Sequence, residues 1–217
     1  MSQLYFLRHG ESEANLRPDL IGGRTNEAKL SPLGETQARR AGRYLLTMMI
    51  YPSIVHVSPA VRTLRTAELA LGELDYHGRV VIDPRIQELF HGSSEGLPRA
   101  DVYTPEVLEQ IAELGTSFKL PGGESVEELG ERMYEASCAI DRVAERVGGF
   151  ETKYMHLPAS ALIVTHETAI KALVARTKHF SQHWVHETHL PNASLTRMNM
   201  LDGRLQIDYL GKATNHG

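Results

Sequence analysis

An arginine and a histidine stand side by side where the apolar run of LYFLRHGESEAN ends, at Arg8 and His9. Three other short runs lead into similar chemistry. IVHVSPAVRTLR reaches Arg62, QELFHGSSEG carries Glu88 after a third run, and ALIVTHE ends the fourth at His166. Two guanidiniums and two imidazoles around one pocket would repel one another if charged and left alone. An anion among them removes the conflict, because guanidinium matches phosphate oxygens through paired hydrogen bonds. Histidine adds a neutral nitrogen that attacks or a charged one that donates. A phosphomonoester dianion fits all four, and Glu88 brings one carboxylate to the same rim.

That rim requires a particular arrangement of elements. Residues 3–7, 53–57, 79–83 and 160–165 are short, apolar and β-branched or aromatic, the pattern of buried strands. Ser31-Pro32 opens a helix with Ala38, Ala41, Leu45 and Met48 at helical spacing. Ser58-Pro59 opens another, carrying Val61, Leu64, Ala67 and Leu71. A long helix runs from Ser125 to about 147, and a further one covers 167–177. The last two apolar runs, joined at Asp202-Gly203, form a hairpin. Strands alternating with helices predict an α/β fold, a three-layer α/β/α sandwich on a mainly parallel sheet. Ligands of such sheets sit beyond the carboxyl ends of the strands, where the four clusters would meet. Glycine and proline bound a looser segment, 91–123, read as a lid-like insertion with its own helix at 105–114.

The 217 residues suit one domain over 1–217, with 41% hydrophobic and 23% charged residues. A net charge of −4 gives no reason to expect a nucleic-acid partner. Neither a signal peptide nor a membrane span is legible, and the lone Cys138 fits a reducing, cytoplasmic compartment. The expected partner is a small phosphomonoester. The chain is expected to be a monomer or a homodimer.

Six segments together resemble the histidine phosphatase superfamily, metal-independent phosphatases related to the cofactor-dependent phosphoglycerate mutases. They are LRHGESEAN, GGRTNEAKLSPLGETQA, SPAVRTLRTAEL, QELFHGSSEG, PGGES and VTHE, in the family's order and across nearly the whole chain. The resemblance implies that His9 is the nucleophile and becomes phosphorylated. It implies that Arg8, Arg62 and His166 hold the phosphoryl oxygens, that Asn15 donates another hydrogen bond, and that Glu88 protonates the leaving group. No metal or other cofactor is implied. The short lid, and the sequence LFHGSSEGLPRAD after Glu88, favour phosphatase over mutase within that family.

Each residue also has a plainer reading. His9 and His166 would serve as hydrogen-bonded strand ends, Arg8 and Arg62 as ion-pair residues, and Asn15 as a turn residue. Glu95 stands near Glu88 as a competing carboxylate, and Arg65 reads as a salt-bridge residue. Glu167 departs from the glycine common in relatives after the second histidine. Substrate choice is assigned to the lid, 91–123, with Arg24 and Arg99 as further candidates; Arg99 would meet a second anionic group or, as the preferred reading, face solvent. His179, His183, His186 and His189 are spaced to share a helix face, which would suit a metal, although nothing else completes a site. Cys138 reads as a small core residue. A mutase and a non-catalytic phospho-ligand binder remain the alternatives.

Overall fold

The computed structural model describes residues 2–149 and 157–214. Six strands form one sheet: β1 (Gln3–Arg8), β2 (Ile54–Val57), β3 (Val80–Ile82), β4 (Ser160–Thr165), β5 (Leu195–Leu201) and β6 (Arg204–Lys212). Their order is β3-β2-β4-β1-β5-β6. The first four are parallel, and the terminal hairpin adds β5 antiparallel to β1. This is the expected mixed α/β sheet with its antiparallel side.

Alternation along β1 builds the two outer layers. Leu4 and Phe6 point to one face and pack with Leu129, Met133 and Ile170. Tyr5 and Leu7 point to the other and pack with Ala41, Leu45 and Ala70. The first layer belongs to α5 (Val126–Val147) and α6 (Glu167–Lys178), the second to α1 (Pro32–Thr47) and α2 (Val61–Glu73). Ser31 caps α1 by accepting the Gly34 N–H, and Ser125 with Glu128 forms a reciprocal capping box on α5. The starts of α1 and α5 are therefore legible from Ser31 and Ser125. Met48 differs from expectation: α1 ends at Thr47, so Met48 is exposed and Ile50 is buried instead.

Ser58 also departs from its reading as a helix start. It has no capping role; α2 begins at Val61 after Ala60. The Ser58 hydroxyl is hydrogen-bonded to His166 Nε2 instead, at 2.8 Å.

The insertion carries α3 (Arg99–Val102) and α4 (Pro105–Leu114), neither of which has a buried residue. Its first part is tied to the segment after β1. Ile21 N–H donates to Leu97 O and Arg99 N–H to Asp19 O, each at 2.8 Å. The histidine run is not one helix. His179 ends α6 in the left-handed region at φ 56°, α7 (Gln182–Glu187) carries His183 and His186, and His189 lies beyond. No helix among the described residues is long and apolar enough to cross a membrane.

Candidate active site

Parallel register does most of the assembly. Arg8 on β1 is level with Thr165 on β4, so the next residues, His9 and His166, emerge side by side. Their rings lie edge to face, centroids 5.2 Å apart. The turn after β1 is drawn tightly against α1: a Cβ on Gly10 would fall 2.3 Å from Gly34 O, and one on Gly34 would fall 1.9 Å from Glu11 O. Only glycine at both positions allows this approach, which explains the residue following His9. Above these strand ends opens a cleft of about 200 Å³, lined in part by Arg8, His9, Asn15, Arg62, Glu88 and Glu167.

His9 has a defined tautomer. Nδ1 lies 2.7 Å from Gly10 O, a carbonyl that only accepts, so Nδ1 carries the proton and Nε2 keeps its lone pair. Burial, then the charges of Arg62 and Arg8, hold its pKa well below the usual histidine value. The ring is thus neutral with one nitrogen able to attack. His166 is wholly buried and its pKa is likewise well lowered, by burial and by Arg62 and His9. It does not line the cleft. Arg62 Nη2 donates to His166 Nδ1 at 3.2 Å, which leaves Nε2–H to donate to Ser58. Ser58, expected only to open a helix, is thus a residue of the site.

The two arginines are held differently. Arg62 donates to the carbonyls of Thr25 and Gly23 at 2.7 and 3.0 Å, neutral acceptors that leave its charge whole. Arg8 donates to Leu190 O and pairs with Glu167 at 2.8 Å. The carboxylate that departs from the family pattern therefore sits on a site cation. Burial opposes ionisation of Glu167, yet Arg8 and Lys171 outweigh it and its pKa falls below the ordinary value.

Glu88 accepts the Leu89 N–H at 2.8 Å and the Thr168 and Ala169 N–H groups at 3.1 Å, so it covers the start of α6. Loss of water raises its pKa; these donors and Arg62 pull the other way without cancelling the rise. Its backbone is clamped. Arg24 Nε donates to Glu88 O at 3.1 Å, and Arg132 donates to the carbonyls of Arg85 and Gln87 at 2.7 and 3.2 Å. Glu124 joins both arginines, which gives the PGGES segment its purpose. Arg132 was not singled out from sequence, since one arginine within an amphipathic helix carries no local mark of its partner.

Of the other candidates, Glu95 accepts the Arg24 and His91 N–H groups and does not line the cleft. Asn15 does, with Oδ1 taken by the Ser12 N–H and hydroxyl. Arg99 lines the cleft mouth, exposed and stacked on Tyr103 at 5.0 Å, whereas Arg24 is turned toward Glu88 and Phe90. Arg65 pairs with Glu35 and Glu68. Cys138 is half-buried on α5. Among the described residues no cluster of three His, Cys, Asp or Glu side chains has the spacing of metal ligands.

Comparison with known proteins gives the family. Residues 4–212 match the model of the histidine phosphatase superfamily, branch 1. The chain is 28% identical over 205 residues to a 2,3-bisphosphoglycerate-dependent phosphoglycerate mutase of Corynebacterium efficiens, covering 87% of this chain and 81% of that one. It is 30% identical over 194 residues to the fructose-2,6-bisphosphatase TIGAR B of Danio rerio, covering 79% and 72%. Among solved structures, the mycobacterial glucosyl-3-phosphoglycerate phosphatase complexed with VO3 superposes with a TM-score of 0.75 at 25% identity, over 98% of this chain and 100% of that one. The chain belongs to the histidine phosphatase superfamily.

Proposed function

We propose that the cleft hydrolyses small phosphomonoesters through a phosphohistidine on His9, without a metal ion. The observation that carries this reading is the His9 tautomer: a neutral imidazole with Nδ1 committed to Gly10 O and Nε2 unencumbered. Nε2 attacks phosphorus, the P–O ester bond breaks, and the leaving oxygen takes the proton of Glu88. Arg8, Arg62 and Asn15 hold the phosphoryl oxygens. His166 joins them by turning its Nε2–H from Ser58 to the bound anion. Water then attacks the phosphohistidine and gives a proton to the Glu88 carboxylate. The P–N bond breaks, and inorganic phosphate leaves with His9 neutral again. The raised pKa of Glu88 supports its role as acid, and an arriving dianion would raise it further. Fixed guanidiniums offset the charge developing on the transferred group.

The test is phosphate release in EDTA from a panel that includes p-nitrophenyl phosphate and 3-phosphoglycerate. Wild type should release phosphate, and His9→Ala should lose the activity. A second reading, phosphoglycerate mutase, is favoured by the Corynebacterium relative and by the exposed cation Arg99 at the cleft mouth, which suits a substrate with a second anionic group. It predicts isomerisation of phosphoglycerate with little phosphate released. The lone cysteine supports a cytoplasmic setting for either.

A further inference from the structure

Glu167 sits at the first position of α6 and is gripped from several sides. Oε2 meets Arg8 Nη1 at 2.8 Å, while Oε1 accepts the Leu190 N–H at 3.0 Å and lies 3.0 Å from His189 Nδ1. Lys171, one turn along α6, stands 3.5 Å away. So anchored, the carboxylate cannot swing aside when an anion arrives, and it is part of the cleft wall. Arg8 is the complementary case: its side chain is only 5% exposed and its Nε is buried without a hydrogen-bond partner. Arg62, by contrast, is held by neutral acceptors, the carbonyls of Thr25 and Gly23 and Nδ1 of His166.

We propose that Glu167 is a positioning residue that fixes the Arg8 guanidinium and, by sharing its charge, keeps the pocket's affinity for phosphate low. The inference rests on the reading of the cleft as a phosphomonoesterase site and adds how that site avoids holding its product. A dianion entering the cleft competes with Glu167 for Arg8. It feels a net pull from Arg62 and Arg8 that is reduced by the fixed carboxylate of Glu167. Weaker ground-state binding of phosphate favours product release, and only interactions stronger in the transition state add to turnover.

Isothermal titration of inorganic phosphate, at fixed pH and ionic strength, tests this on wild type, Glu167→Gln and Glu167→Asp. Removing one unit charge a few ångströms from the anion should lower the phosphate Kd of Glu167→Gln roughly three- to tenfold, a partly screened Coulomb effect. Glu167→Asp keeps the charge but draws it back from Arg8, so its Kd should fall about twofold by the same effect. The aspartate variant also serves if Glu167→Gln does not fold once Arg8 is left unpaired. Phosphate should also restore more of the melting temperature to Glu167→Gln than to wild type, which a merely structural role would not produce. Phosphate binding unchanged or weaker in the variants would overturn the proposal while leaving the phosphatase reading intact. Phosphate binding to none of the three proteins would overturn the anion site and the proposal together.

Discussion

Glu88 is pulled in two directions. Three backbone N–H groups and Arg62 favour its carboxylate, while burial favours the acid, and the net effect is a raised pKa. His9 moves the opposite way, its neutral form being favoured well below the ordinary histidine value. A general acid working from a raised pKa loses its proton as pH climbs, so kcat/KM should decline on the alkaline side through Glu88. On the acid side, His9 should stay competent to a pH well under 6.5. Glu88→Gln should lower kcat by about 10²–10⁴-fold toward substrates with poor leaving groups and flatten the alkaline limb. A pH–rate profile checks it; an alkaline limb unchanged in the variant would assign the acid elsewhere. Arg8, His9, Arg62 and Glu88 were legible as candidates because Arg8 closes a strand and the other three follow strand ends. Ser58 and Arg132 were not, because their partners lie more than forty positions away, at His166 and at the 85–88 segment.

The elements hold these side chains through a few close approaches. Gly10 and Gly34 meet backbone to backbone, so the first turn of α1 acts as a stop for the turn carrying His9. Gly34→Ala should destabilise the fold by about 1–3 kcal/mol through overpacking and also reduce kcat by displacing that turn. Urea denaturation and steady-state kinetics check both, and an unchanged kcat with unchanged stability would show the contact to be slack. At this scale most of the fold could be read. Strand runs, the serines at 31 and 125 and the terminal hairpin all fall where periodicity and capping put them. What failed was local and has physical causes. Ser58 met a better partner than a helix N–H, and the histidine run breaks at left-handed His179, a conformation with no strong mark in a non-glycine residue.

For the whole molecule, buried neutral histidines should dominate the acid response. His9, His166 and His56 have lowered pKa values, and the partly buried His91 is lowered to about 4, each through burial first. Unfolding lets each bind a proton below its ordinary value of 6.5. Between pH 6.5 and about 4 the unfolded chain therefore holds more protons, and stability falls as pH falls. Each such histidine contributes a slope of about 1.4 kcal/mol per pH unit where its two states differ. Glu88 alone opposes this among the site groups, since its raised pKa makes the folded state the better proton binder just above 4.5. Asp83, lowered to about 2 against burial by Arg85 and His56, adds a further loss only below 3.8. Thermal denaturation from pH 7 to pH 4 should show a steadily falling melting temperature; a flat or rising one would contradict neutral burial of these rings.

The most direct test of the account is to trap the enzyme during turnover of a phosphomonoester labelled with radioactive phosphorus and quench it in alkali. The account predicts an alkali-stable, acid-labile label on the peptide carrying His9, present in wild type and absent from His9→Ala. Rapid turnover with no label on that peptide, or an equal label in His9→Ala, would contradict a phosphohistidine at His9.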